Sequence, residues 1–166
     1  MITRHWGFKV YGVPKPKGSM KCIGARGTRK HVLVEQVDDG GWRDLVTTLA
    51  QAHVHEQADA GQPIEIEVVF TADRPASHYG TGKNRHKLKL SAPVWPTHST
   101  GDIDKLSRLI LDALQTAGAL RNDAQVVRLT SVKQYADMHP GQRPEHRWDV
   151  LPRPGAIIRL RPLGLA

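Results

Sequence analysis

The 166-residue chain has one cysteine, Cys22, and no long apolar run. A lone cysteine excludes a disulfide or a cysteine-based zinc site within one chain. The longest apolar stretches fall far short of the roughly 20 residues that a membrane span needs. The N-terminal sequence MITRHWGFKV also lacks the apolar core of a signal peptide. The sequence therefore predicts a cytoplasmic protein with no membrane partner.

Acidic residues are missing from two long stretches of a chain whose formal net charge is +8. Residues 1–30 carry eight Lys or Arg and no acid, and residues 74–100 carry five and none. Each Lys or Arg that meets a phosphate releases condensed counterions, so charge segregated in this way favours a nucleic-acid partner. A membrane surface is disfavoured because no long basic amphipathic helix is evident. A basic surface that serves only solubility is the alternative.

The length and the ordinary apolar content of 39% indicate one domain that spans residues 1–166. Alternating apolar residues predict strands, and apolar residues at helical spacing predict two main helices. The predicted strands are 5–13, 31–37, 63–72, 124–136 and 155–163, and the predicted helices are 41–61 and 102–117. This order of elements predicts an α+β fold in which a small mixed sheet packs with the two helices.

Three segments show no sustained period. Residues 14–21, PKPKGSMK, contain two prolines and a glycine and are typical of a basic loop. Residues 73–100 are rich in Pro, Gly, Lys and His, and residues 137–155 form a second long excursion. A structureless stretch of this length inside a compact domain is usually a functional or mobile loop.

Carboxylates gather around the second predicted helix. Asp102 and Asp104 would point about 200° apart on a regular helix. They converge only if Asp102 lies at or before the N-cap in extended conformation while Asp104 occupies the first turn, a boundary that the preceding STG makes plausible. Asp123 follows the next loop and can return to the same end of the helix. Three carboxylates there would repel one another, and a bound Mg²⁺ would relieve that repulsion.

A purely structural interpretation of these carboxylates is also open. Aspartate at a helix start is favoured by the helix dipole. The Asn122-Asp123 pair is common turn chemistry. Spacing alone therefore does not separate a metal site from helix caps and solvated charges.

The segment GDIDKLSRLILDAL, followed by NDAQVVRLTSVKQY, resembles the signature of the RusA-type Holliday-junction resolvases. That family carries an Asp-x-Asp-Asn-Leu-x-Lys start, a downstream Leu-Asp-Ala-Leu and then Asp-Asp-Ala-Gln-Val. The early VYGVPKPKGSMK is similar to the family's N-terminal strand with its Gly-x-Pro-x-x-Lys loop. The specific match covers about 35 residues, and length, charge and element order extend the resemblance over most of the chain.

The resemblance implies a homodimeric, RusA-like fold and a Mg²⁺-dependent endodeoxyribonuclease, with Mn²⁺ as a possible substitute. Its substrate would be four-way or other branched DNA, nicked in two opposed strands to leave 5′-phosphate and 3′-hydroxyl ends. The family's essential carboxylates map onto Asp102, Asp104 and Asp123, which would be the metal ligands. A phage or prophage origin in a bacterial host is also implied. A junction-binding protein with weak or no cleavage is the alternative.

Three departures from the family pattern affect the catalytic prediction. Lys105 stands where the family has Asn, Arg108 stands where it has its catalytic Lys, and Asn122 replaces the first Asp of Asp-Asp-Ala-Gln-Val. An arginine can clamp a phosphate but cannot donate a proton, because its pKa stays above about 12. Either Arg108 or Lys105 therefore takes the place of the family lysine. Asp112 is expected to pair with Arg108, four residues away.

Six lysines are candidates for DNA contacts. Lys87 and Lys89 share a face of a short alternating run that leads towards the acidic site, and Lys133 matches a recurring basic position of the family. The other three lie in the first basic stretch: Lys15, Lys17 and Lys21. An ordinary solvated lysine is the alternative at each position.

Overall fold

The computed structural model describes residues 6–18, 20–23, 32–35, 41–54, 61–97, 100–146 and 148–164, and only the backbone of 20–23, 32–35 and 146. The strands of this part are β1 (Trp6–Tyr11), β2 (Met20–Ile23), β3 (Val32–Glu35), β4 (Ile64–Ala72), β5 (Val126–Tyr135) and β6 (Gly155–Pro162). The helices are α1 (Trp42–His53) and α2 (Ile103–Thr116). Short 3-10 turns lie at 76–78, 82–84, 123–125 and 144–146.

The main sheet has four strands in the order β1-β6-β4-β5. β6 pairs antiparallel with both β1 and β4, whereas β4 and β5 are parallel. Parallel neighbours need a long crossover, and the chain between β4 and β5 provides it with α2. The predicted α+β fold with a small mixed sheet and two helices is confirmed.

Both helices pack on one face of this sheet. The alternating residues of β4 supply its centre, and the predicted apolar stripe of α2 is buried against it. The fully buried members of that stripe include Leu106, Leu109, Ile110 and Leu114. Burying one such side chain stabilises the fold by about 1.5–3 kcal/mol. The apolar stripe therefore fixes which side of α2 faces solvent, and that side carries the acidic residues.

The other face of the sheet is covered at one end by the segment before β6. Leu151 is buried with Val69 and Ile157, and its backbone N–H donates to Thr71 Oγ1 at 3.0 Å. The excursion at 137–155 is therefore partly a structural cover. Further along this face, Arg128 and Arg161 donate to the same carboxylate, which lowers the pKa of Glu65. Glu67 lies on the same face and accepts a hydrogen bond from Arg159.

Two boundaries differ from the sequence prediction. The first helix ends at His53 rather than 61, where Val54 turns to extended backbone. The basic loop predicted at 14–21 ends earlier, because Met20–Ile23 forms β2 and pairs with β3. Both strands of that hairpin are short, and a run of four residues gives little periodicity to detect.

Candidate active site

Asp102 is the residue before α2, and its backbone is extended, with φ −73° and ψ 135°. Asp104 lies in the first turn. This is the boundary at which the two carboxylates were expected to converge. Asp102 makes no side-chain cap to the helix, and its carboxylate lies 3.0 Å from Lys105 Nζ instead. Helix capping therefore does not account for Asp102.

Asp104 is exposed, and within the described residues its side chain makes no hydrogen bond or ion pair. Arg108, one turn later, is likewise exposed and has no acidic partner among those residues. The expected pair of Arg108 with Asp112 does not form, because Lys17 donates to the Asp112 carboxylate. The start of α2 thus presents one carboxylate and one guanidinium that are free of intramolecular partners in the described part of the chain.

Two other segments meet the start of α2. Gly101 has φ +74°, and a Cβ at this position would lie 2.9 Å from Pro16 Cγ. Only glycine adopts such a backbone easily, so the close approach of the loop after β1 depends on it. The Lys17 N–H donates to the Lys105 carbonyl at 3.2 Å, and Lys133 Nζ donates to the Gly101 carbonyl at 2.9 Å. Two distant parts of the sequence, each with a lysine, therefore contact the start of α2.

A pair of hydroxyls ties α2 to β5. Ser107 Oγ donates to the Ile103 carbonyl at 2.7 Å and is 2.8 Å from Ser131 Oγ. The hydroxyl contact between Ser107 and Ser131, together with the contact between Lys133 and Gly101, holds the start of α2 beside the end of β5. Nothing in the sequence singles out these serines, since the two positions are 24 residues apart and small hydroxyls are common.

Asp123 lies at the other end of α2. It belongs to the 3-10 turn that directly precedes β5, whereas Gly101 is held by Lys133 near the end of that strand. From Val126 to Lys133 the strand spans about 23 Å at 3.3 Å per residue. In agreement, the described residues contain no group of three or more His, Cys, Asp or Glu side chains arranged to hold a metal. The expectation that Asp123 returns to the start of the helix is wrong within one chain.

Asn122, one of the departures from the family pattern, has a structural role. Its side-chain oxygen accepts the N–H of Ala124 at 2.9 Å, and Gln125 Oε1 accepts the Asn122 N–H at 3.2 Å. The two residues form a capping box at the turn that carries Asp123. Asparagine is among the favoured capping residues, so the substitution keeps the turn that presents Asp123 to solvent.

The remaining predicted DNA contacts occupy different settings. Lys15 is exposed, and of Lys21 only the backbone is described. The alternating run expected at 87–89 is not a strand, since Lys87 closes a turn by donating its N–H to the Asn84 carbonyl at 2.8 Å. Lys87 is exposed, whereas Lys89 Nζ donates to the Ser77 carbonyl at 2.9 Å.

The loop between β4 and α2 is ordered by a residue that the sequence analysis missed. The Arg74 side chain is 0% exposed and donates to Asp137 Oδ1 at 2.7 Å and to the Pro93 carbonyl at 2.6 Å. Its guanidinium lies 4.0 Å from the centre of the Tyr135 ring. Tyr79 donates its hydroxyl to Asp137 at 2.9 Å; burial, and then this hydrogen bond, raise the pKa of Tyr79 above its usual 10.0. The expected structureless segment at 73–100 is thus anchored to the end of β5.

Carboxylates can hold a metal that assists phosphodiester hydrolysis, and lysines neutralise DNA phosphates, so the start of α2 suits an enzyme that acts on phosphodiesters. Comparison with known families makes this class specific. The model of the family described as endodeoxyribonuclease RusA matches residues 13–143, so the chain belongs to the RusA family. No individual curated protein matches it.

Family membership makes the protein an endodeoxyribonuclease of the Holliday-junction resolvase class, a hydrolase. Nucleases of this family generally need a divalent metal, and their substrate is branched DNA. The matched region contains the start of α2, the turn with Asp123 and the anchored loop. Within the described ranges, no helix is both long and apolar enough to cross a membrane.

Proposed function

We propose that this protein resolves Holliday junctions or other branched DNA by Mg²⁺-dependent hydrolysis of paired phosphodiesters, leaving 5′-phosphate and 3′-hydroxyl ends. The observation that carries the proposal is Asp102, a residue at a helix start whose carboxylate does not cap the helix and stands beside the exposed Asp104. Family membership supports a phage or prophage enzyme that acts in the bacterial cytoplasm.

The donor chemistry at the start of α2 suits a hard dication. Mg²⁺ is commonly held by one or two carboxylates together with waters and substrate phosphates, and Mn²⁺ accepts the same oxygen ligands. Asp102 and Asp104 fit that requirement as the two carboxylates. A metal bound there would lower the pKa of a water and polarise the phosphoryl oxygen.

The chain's own cations would then position the substrate. Arg108 is free to clamp a phosphate oxygen through two parallel N–H donors. Lys105 Nζ neutralises Asp102 in the isolated chain, and unlike Arg108 it can both contact the phosphate and give up a proton to a leaving oxygen. Lys133, held on the Gly101 carbonyl, and the exposed Lys15 would contact the DNA beside the cleaved bond.

A homodimer would bring the third carboxylate to this site. β5 is an edge strand among the described strands, and it carries two exposed apolar side chains, Val127 at 62% and Leu129 at 41%. A second copy placed on this edge about a two-fold axis runs its own β5 antiparallel, because such an interface matches one surface with itself. The start of one strand then meets the end of the other. We propose that Asp123 of the partner subunit thereby joins Asp102 and Asp104.

A junction-binding protein with weak or no cleavage is the second candidate. It is favoured by two observations: the Lys105 ammonium already occupies Asp102, and an arginine stands at the position of the family's lysine. Both features would keep the affinity for DNA while they slow hydrolysis.

The two candidates are separated by incubating the protein with an end-labelled four-way junction in Mg²⁺ and in EDTA. The proposed function predicts binding in EDTA and paired nicks in Mg²⁺, with little cutting of linear duplex. Asp104→Asn should keep binding and lose nicking by several orders of magnitude, whereas Asp44→Asn, an exposed acid of the first turn of α1, should behave like wild type. Binding without nicks in Mg²⁺ would instead establish the second candidate.

A further inference from the structure

The outer part of the loop between β4 and α2 is a compact turn over residues 79–88. Tyr79 and Leu88 form an antiparallel bridge, and the Gly80 N–H donates to the Lys87 carbonyl at 2.9 Å. Within the turn, the Asn84 N–H donates to the Thr81 carbonyl at 3.0 Å. A Cβ on Gly80 would lie 2.6 Å from the Asn84 carbonyl oxygen, so the two sides of the turn touch. We call residues 79–88 the tip.

The tip carries positive charge that the described part of the chain does not neutralise. Lys83, Arg85 and Lys87 are exposed, and none of the three forms an ion pair among the described residues. Six other cations of those residues have acidic partners, namely Lys17, Arg74, Lys105, Arg128, Arg159 and Arg161, whereas Lys15, Arg43 and Arg108 are among those that have none. What distinguishes the tip is that three exposed cations without acidic partners lie within the five residues 83–87 of one turn.

The base of the loop holds the tip in a defined place. The buried Arg74 guanidinium ties the start of the loop to Asp137 and to Pro93 near the loop's far side. Lys89 braces the tip's exit through the Ser77 carbonyl. These contacts lie where β4 and β5 end, which is also the end where Lys133 reaches Gly101 at the start of α2. The tip and the two carboxylates therefore project from the same end of the sheet.

We propose that Lys83, Arg85 and Lys87 grip the phosphate backbone of a DNA arm outside the cleaved bond, and that Arg74 is the positioning residue of this grip. The inference rests on the proposed function, since it assigns a second contact to the same branched DNA. A fixed cluster of cations binds phosphates with less loss of conformational freedom than flexible surface lysines do. Lys89 is a brace in this account and not a phosphate contact.

The charge part of the proposal is tested by Lys83→Gln, Arg85→Gln and Lys87→Gln, made singly and together. The dissociation constant of a four-way junction is measured in EDTA over a range of NaCl concentrations. Each lost phosphate contact should reduce the slope of log K against log[salt] by about 0.9. With Mg²⁺, the triple variant should raise KM at least about tenfold and leave kcat unchanged. An exposed cation of α1, changed in Arg43→Gln, serves as the control and should change neither value.

The positioning part is tested by Arg74→Lys, which keeps the charge and loses the forked contact with Asp137 and Pro93. It should weaken junction binding by about three- to tenfold, because the tip is no longer held in place. Tyr79→Phe removes one hydrogen bond to Asp137 and keeps the tip's charges, so it serves as a milder second variant if Arg74→Lys lowers the melting temperature. Unchanged junction affinity in a folded Arg74→Lys protein would overturn the positioning role.

The inference and the proposed function fail in different experiments. If the triple variant keeps the wild-type salt slope and KM while wild type nicks junctions, the tip does not contact DNA and the proposed function stands. If wild type binds junctions through the tip but never nicks them in Mg²⁺, the tip inference stands and the proposed catalysis fails.

Discussion

Lys105→Asn restores the residue that the family carries at this position, and it should tighten metal binding while it slows cleavage. The Lys105 ammonium lies 3.0 Å from the Asp102 carboxylate, where it repels a dication. The two side chains are 39% and 68% exposed, and an exposed pair of this kind contributes roughly 0.2–1 kcal/mol. Without the Lys105 ammonium, the metal no longer competes for the Asp102 carboxylate. The affinity for the metal should therefore rise by at most about fivefold, because about 1 kcal/mol corresponds to about fivefold and 1.4 kcal/mol to tenfold.

The assay is a titration of Mn²⁺ into the DNA-free protein, followed by electron paramagnetic resonance of the free ion. Single-turnover nicking of a labelled junction is measured in parallel. Lys9→Asn is the matched control, because Lys9 is exposed on β1, at the opposite edge of the sheet from β5, and has no ion pair in the described part of the chain. Mn²⁺ affinity that stays unchanged or falls in Lys105→Asn would refute the competition. Faster nicking would refute a catalytic role for Lys105 and leave Arg108 as the replacement for the family lysine.

Three further changes test the surroundings of the site. Gly101→Ala should lower the free energy of unfolding in urea by about 1–3 kcal/mol, because alanine is strained at a φ of +74° and its Cβ crowds Pro16. An unchanged free energy of unfolding would contradict the close approach of Pro16 to Gly101. The pKa of Tyr79 is raised, so this tyrosine deprotonates at lower pH in the unfolded chain than in the folded one, and the stability of the fold falls as the pH rises above 10. Tyr79→Phe should remove part of that loss of stability, as measured by thermal melts. Leu129→Glu should give monomers in sedimentation and abolish nicking, whereas a dimer that still nicks would remove β5 from the interface.

The elements with a strong local pattern were predictable from the sequence. α2 and β4 each bury one side in the core, so apolar residues recur at the helical spacing in α2 and at alternate positions in β4. Asp102 lies at the N-cap, the position named as the condition for two aspartates two residues apart to converge, and the cap-type residues before it are a local signal. These features depend on neighbours in the chain, which is why the sequence alone reveals them.

The position of Asp123 could have been predicted from the length of the loop that precedes it. A helix that packs on the strand after it runs antiparallel to that strand when the connecting loop is short. The loop from Ala117 to Asn122 is short, so Asp123 had to lie at the C-terminal end of α2. That signal was present in the sequence. The sequence contains no such signal for the anchor formed by Arg74, because Asp137 is 63 residues away and only the fold brings the two residues together.

A mixture of two inactive variants, Asp104→Asn and Asp123→Asn, tests most directly a metal site built from both subunits. In a heterodimer of the two, one site keeps Asp102 and Asp104 of one chain and Asp123 of the partner subunit, while the other site loses both mutated positions. After subunit exchange, the mixture should recover about a quarter of the wild-type site activity, as nicks in single strands. A mixture as inactive as either variant alone would contradict a site shared between two chains.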